Sequence, residues 1–167
     1  MRKRLVSVSP ALLLLISLCF AQTTKEQKDP GHVMTTPNQI KWQAAPAPGQ
    51  LPSGAQIAVL DGDPSQSGVL YTIGVKMPNG FRIPPHWHPM DASVTVVQGI
   101  FVMGLGEKFD STRGQELKPG SYMRVSKEVR HYEWTKGETI IYVYGLGPLD
   151  HIYVNPADDP RQKSSRK

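Results

Sequence analysis

The sequence predicts an all-β domain, closed into a barrel or folded as a sandwich. Three observations carry that expectation. About ten short runs of β-branched, aromatic and alternating residues are separated by turn signals. Fifteen glycines and fifteen prolines punctuate a chain of 167 residues, a length suited to one ordinary domain. Beyond residue 25 no stretch spaces its apolar residues at helical period. A glycine-rich phosphate loop, a βα alternation and a strand-to-helix nucleophile turn are all missing from the sequence.

The first residues are expected to stand outside the domain. Arg2, Lys3 and Arg4 form a basic head before the apolar run Ala11–Ala21, and a polar stretch begins at Gln22. The run is too short to span a bilayer by itself and ends in a small residue, the layout of a secretory signal peptide over residues 1–21. The expected location is therefore secreted or periplasmic, with no membrane attachment after cleavage. The leader takes three of the 19 basic residues, so the remainder carries 16 against 14 acidic ones. The rest of the basic excess lies in a tail at residues 161–167, read as disordered. With no basic stripe interleaved with aromatics, nucleic acid is not an expected partner. Cys19, the single cysteine, leaves with the leader, so disulfides and thiol chemistry are not expected afterwards.

Residues 22–56 are polar and carry five prolines, which predicts an extended arm. Ile40 and Trp42 are placed to pack across the barrel or against a second copy of the chain, giving a homodimer as one expected assembly. His32 in this arm is expected at the surface. The barrel is assigned to residues 57–160. Ile57–Leu60 reads as a short strand and Asp61–Gly68 as a turn cluster. Val69–Met77 is a long β-rich run closed by the turn Pro78-Asn79-Gly80. The strand carrying His86 and His88 follows. Ser93–Gln98 and Ile100–Met103 read as a hairpin around Gly99. Glu107–Gly114 is a charged excursion, Ser121–Val125 a strand, and Lys136-Gly137 a turn between the strands His131–Trp134 and Thr139–Tyr144. Ile152–Val154 is the last short strand.

The chemistry centres on Pro84-Pro85-His86-Trp87-His88-Pro89. Alternate residues of a strand share a face, so His86 and His88 can aim two imidazoles at one point. Imidazole suits zinc, iron, nickel and copper, and a third ligand must come from elsewhere. Gly80-x5-His86-x-His88 followed by Gly99, together with Pro119-Gly120-x10-His131, resembles the two motifs of the cupin superfamily. The likeness is to small exported single-domain cupins and covers roughly residues 32–161. It implies a double-stranded β-helix, a jelly-roll barrel with a divalent metal ion (zinc, iron, manganese or nickel) inside one open end. Carried over residue by residue, it implies the metal ligands His86, His88 and His131.

The same resemblance expects a glutamate ligand, and its position falls on Ala92. Two readings follow. Three neutral imidazoles still hold a divalent ion, now with a higher net charge and one more open position. Alternatively the metal site has decayed and the barrel binds a small molecule without metal. Glu133 shares a strand face with His131, which makes it a candidate ligand or general base. Neighbours on one face lie about 6–7 Å apart along a strand, so its expected place is solvated, at the barrel mouth. Phe101, Met103, Tyr142 and Tyr144 have the period to line a cavity or to fill a core. His151 is read as a surface or lining residue, not a fourth ligand. The functional expectation is a metal-binding barrel that oxidises or hydrolyses a small oxygen-chelating substrate. A non-enzymatic barrel for a small molecule or metal is the other class.

Overall fold

The computed structural model describes residues 31–45 and 50–163. The expected leader at 1–21 with Cys19, the arm residues 22–30 and 46–49, and the tail residues 164–167 lie outside the described residues.

Nine strands form one antiparallel, curled sheet: β1 (Gln43–Ala44), β2 (Gln56–Gly62), β3 (Leu70–Met77), β4 (Arg82–Trp87), β5 (Ala92–Leu105), β6 (Gln115–Leu117), β7 (Tyr122–Val125), β8 (His131–Leu146) and β9 (Ile152–Tyr153). A short helix, α1, spans Pro160–Lys163. The strands β5 and β8 are the spine. They pair from Ala92↔Gly145 to Leu105↔His131. On the far side of β5 lie β7, along Ala92–Thr95, and β6, along Phe101–Met103. On the far side of β8 lie β3, along Thr139–Leu146, and β4, along His131–Trp134. Two long strands thus each serve both halves of a jelly-roll barrel, the fold class expected.

Gly99 and Gly137 do not end strands as expected. Both have positive φ, at 76° and 78°, but the chain bends there and continues its ladder through register shifts between Val96 and Ile100. A side chain at Gly99 would meet the Glu138 carbonyl at 2.3 Å, so only glycine fits. The turn signal was real, and it marks a bulge that curls β5 against β8.

Alternation along the strands sorts the side chains. Val94, Val96, Ile141, Val143, Ile73 and Val75 point inward and join Phe101, Met77 and Phe81 in one buried cluster. Tyr142 and Tyr144 point the other way and do not line the interior. The Tyr144 hydroxyl pairs with Thr95 Oγ1 at 3.1 Å, and Tyr142 lies beside Gly74. Phe101 is fully buried in the core. In the arm, Trp42 packs on Gly74, where a Cβ would lie 2.9 Å from the indole, and Lys76 Nζ sits 4.7 Å over the ring.

Candidate metal centre

Two prolines hold β4 extended up to His86. In the ladder His86 stands opposite His131 of β8 on one side and opposite Tyr153 of β9 on the other. One further step of the β4–β9 register brings His88 alongside His151. Four of the five histidines therefore converge. Ring centroids of His86 and His131 lie 4.2 Å apart, His86 and His88 5.0 Å, and His88 and His131 5.1 Å. His151 lies 4.8 Å from His86 and 4.7 Å from His88. The fifth, His32, is exposed.

Each of the three sequence-predicted imidazoles has its tautomer fixed from behind. Nδ1 of His86 donates to the Pro84 carbonyl at 2.8 Å, Nδ1 of His88 to Asp150 O at 2.7 Å, and Nδ1 of His131 to Val129 O at 2.9 Å. A carbonyl only accepts, so the proton is on Nδ1 and the Nε2 lone pair is bare. Backbone carbonyls commonly orient metal-bound histidines in this way. Nε2 of His86 and of His131 is buried with no hydrogen-bond partner, an arrangement that costs free energy unless something binds there.

Glu133 is not solvated at the barrel mouth. It is 6 % exposed, and its carboxylate oxygens lie 3.6 Å from His131 Nε2 and 3.9 Å from His86 Nε2. β4 carries one extra residue against β8 between Ile83 and His86, and the glutamate side chain is long enough to reach both imidazoles. Of the two places expected for His151, it takes the lining one, 9 % exposed and on the cavity wall. No local motif marks it. Its place follows from the pairing of β4 with β9, which the sequence does not display. Ala92 is 3 % exposed and lines the interior, while its neighbours face outward. Asp91 accepts from the Lys127 amide and pairs with Arg124, and Ser93 meets the Tyr122 hydroxyl. No neighbour of Ala92 thus replaces the expected carboxylate. Glu133, from another strand, brings one to the same cluster.

Electrostatics favour neutral imidazoles. Burial first, then the nearby His131 and His88, hold His86 well below the usual histidine range. Burial lowers His88 against the pull of Asp150, and lowers His131 to about 4. His151 is held well below its ordinary value by burial and then by the other three rings. Burial pushes Glu133 up to about 8. Bare nitrogen lone pairs facing a carboxyl oxygen call for a proton or a cation between them. Two groups of donor atoms lie within 4.8 Å of one another: His86, His131 and Glu133, and His86, His88 and His151. Imidazole nitrogen with carboxylate oxygen is a donor set for zinc, iron, manganese or nickel, so the residues present fit a divalent ion.

Three of the donors, His88, Glu133 and His151, line a cavity of about 460 Å³. Its walls are mostly apolar, among them Ile73, Val75, Val94, Ile141 and Val143, and its polar residues include His88, Glu133, His151 and Arg161. That combination is typical of a small-molecule pocket. Arg161, at the start of the segment read as a basic tail, is anchored. It bonds both oxygens of Asp159, Asp150 Oδ1 and the His151 carbonyl.

A provisionally assigned acetylacetone dioxygenase from Methylibium petroleiphilum PM1 superposes with a TM-score of 0.58 at 18% identity, over 83% of this chain and 96% of that one. The polyketide cyclase RemF of Streptomyces resistomycificus gives 0.53 at 16% identity, over 79% and 92%. An RmlC-like cupin of Shewanella frigidimarina NCIMB 400 gives 0.51 at 15% identity, over 68% and 88%. These likenesses establish the fold. No curated protein sequence matches the chain. The family described as a domain of unknown function (DUF4437) matches residues 27–151, three quarters of the sequence. The jelly-roll of this topology has the cupin fold, and the chain belongs to the DUF4437 family.

Proposed function

We propose that the chain is an exported, metal-dependent cupin acting on a small molecule that chelates through oxygen. His86, His88 and His131 hold the ion, and Glu133 supplies the carboxylate that Ala92 does not. The observation that carries this reading is the pair of buried, unpartnered Nε2 atoms on His86 and His131, turned inward by carbonyls behind their rings. A divalent ion there supplies Lewis acidity and, if redox-active, electrons for dioxygen chemistry. The apolar wall takes the hydrocarbon part of the ligand and excludes water. Glu133, buried beside the same donors, is the group able to take or give a proton there whenever it is released from the ion. Acetylacetone, named for one of the fold relatives, is a small chelator of this class. The leader expected at residues 1–21 supports export.

A second reading is a barrel that binds a small ligand without turnover, favoured by alanine at the usual carboxylate position. Metal analysis of protein isolated from its own compartment is the first test. It is combined with thermal melting on addition of zinc or iron(II). The expected result is bound metal in isolated protein and a raised melting temperature that His86→Ala abolishes. A chain that carries no metal and whose melting is indifferent to both ions contradicts the metal reading and leaves the ligand-binding barrel.

A further inference from the structure

We infer that His151 is a fourth imidazole of the same centre, delivered by the segment that follows β8. This rests on the metal reading above and extends it. The geometry is specific. His151 and the two histidines of the first motif, His86 and His88, place one donor atom each within 4.8 Å of one another. The ring is 9 % exposed and lies nearer to His88 than His131 does, at 4.7 Å against 5.1 Å between centroids.

Its tautomer is fixed in the same sense as the other three. Gln50 Nε2 donates to the Leu149 carbonyl at 3.2 Å, which settles the amide orientation and turns Gln50 Oε1 toward His151. Nδ1 of His151 meets that oxygen at 3.2 Å, so Nδ1 carries the proton and Nε2 is left bare. The backbone around the ring is also held. The His151 amide donates to Asp150 Oδ1 at 2.8 Å, and Arg161 Nη2 donates to the His151 carbonyl at 2.8 Å. The Asp150 carbonyl orients His88, so one dipeptide positions one imidazole and contributes another. A histidine that merely filled the wall would need neither an oriented amide behind it nor a shared brace with a neighbouring ligand.

Cobalt(II) is the probe. In the loaded full-length chain, each histidine that binds through Nε2 shows one exchangeable, paramagnetically shifted Nδ1–H resonance in proton NMR. Four such resonances are expected from the wild type and three from His151→Ala. Removing a ligand weakens binding at least as much as removing a ligand's support, so His151→Ala should lower cobalt affinity by about 10–100-fold or more. Gln50→Ala guards against a folding artefact, since it leaves every donor in place. There the His151 resonance should broaden by solvent exchange while the other three persist. Three resonances in both wild type and His151→Ala, with unchanged affinity, make His151 a wall residue and overturn the inference while the metal reading stands. A wild type that takes up no cobalt overturns both.

Discussion

β4 and β8 hold their donors in a long backbone ladder, whereas the segment from Leu149 to Arg161 is tied to β4 by the two backbone pairs of β9, orients His88 through the Asp150 carbonyl, and is braced further through side chains. On the ladder side, His86 stands opposite His131, and the backbone hydrogen bonds of two paired strands set their separation. On the other side the fixing groups are Gln50, Asp150, Asp159 and Arg161, and the Arg161–Asp150 pair is about a third exposed on both partners, at 36 % each. The ladder is indifferent to salt and to surface protonation. The strap depends on charge, is screened by salt, and can loosen without the barrel opening. One half of the centre is therefore set by a long ladder, and the other by the two pairs of β9 with an adjustable, charged brace behind them.

The largest effect should come from His86, the residue common to both donor groups. His86→Ala is expected to abolish zinc binding by calorimetry, whereas losing His131 or His151 alone should leave weaker binding. Comparable residual affinity in all three variants would mean that the two halves do not share one ion. Glu133 comes next. Its folded value is about 8 against an ordinary 4.5, so between those values the folded chain holds a proton that the unfolded chain has lost. Unfolding free energy from this group therefore falls as pH rises through that window. The upper limit is a few kcal/mol, at about 1.4 kcal/mol per unit. The buried histidines act oppositely, since their folded values are lowered and acid below the ordinary 6.5 destabilises the fold. Metal-free protein should therefore lose stability above about pH 6.5. Glu133→Gln should flatten that loss in melts taken in chelator. An unchanged slope in the variant would place the carboxyl outside the buried cluster.

The contrast between ladder and strap also explains what could be read from the sequence. His86, His88 and Glu133 lie at alternate positions of strands whose period is plain, and the double proline announces an extended backbone. Glu133 was legible as sharing a face with His131. Its reach was not, because backbone spacing along a strand ignores the length of the side chain and the register shift of β4 against β8. His151 carried no local signal. The strand after it, Ile152–Tyr153, was legible, but its partner was not, and only the pairing of β9 with β4 puts His151 beside His88. Pairing is a long-range property decided by the whole sheet. Gly99 shows a further limit, since a positive-φ glycine between two β-prone runs serves a hairpin or a bulge equally well.

Arg161→Ala tests the strap directly. Its pairs with Asp150 and Asp159 are partly solvated, so the expected cost is modest, roughly 1 kcal/mol in stability. Zinc affinity should fall less than for His151→Ala, and the wild-type affinity should show a salt dependence that the variant lacks. Equal salt dependence in both proteins would remove the charge-held strap from the account. Asp159, held below its usual value chiefly by its bond to Arg161, adds stability that is present above its ordinary 3.8 and is lost as pH falls through the lower folded value. The acid limb of the melting profile should therefore move to higher pH in Arg161→Ala.

The smallest expected effect lies in the turn between β7 and β8. Glu128 has φ of 65°, the only described non-glycine residue with positive φ. Its amide donates to the His88 carbonyl at 2.9 Å, so the strained turn braces the residue after β4. A left-handed non-glycine residue costs about 1–2 kcal/mol. Glycine relieves that cost but adds about 0.4–1 kcal/mol of unfolded-chain entropy. Glu128→Gly should therefore gain between nothing and about 1.6 kcal/mol, at most a rise of several degrees in melting temperature. Because the amide is kept, zinc affinity should not change. A drop in affinity with a rise in stability would show that the strain at Glu128 is felt at His88, and the division between a rigid ladder and an adjustable strap would then have to include this turn on the adjustable side.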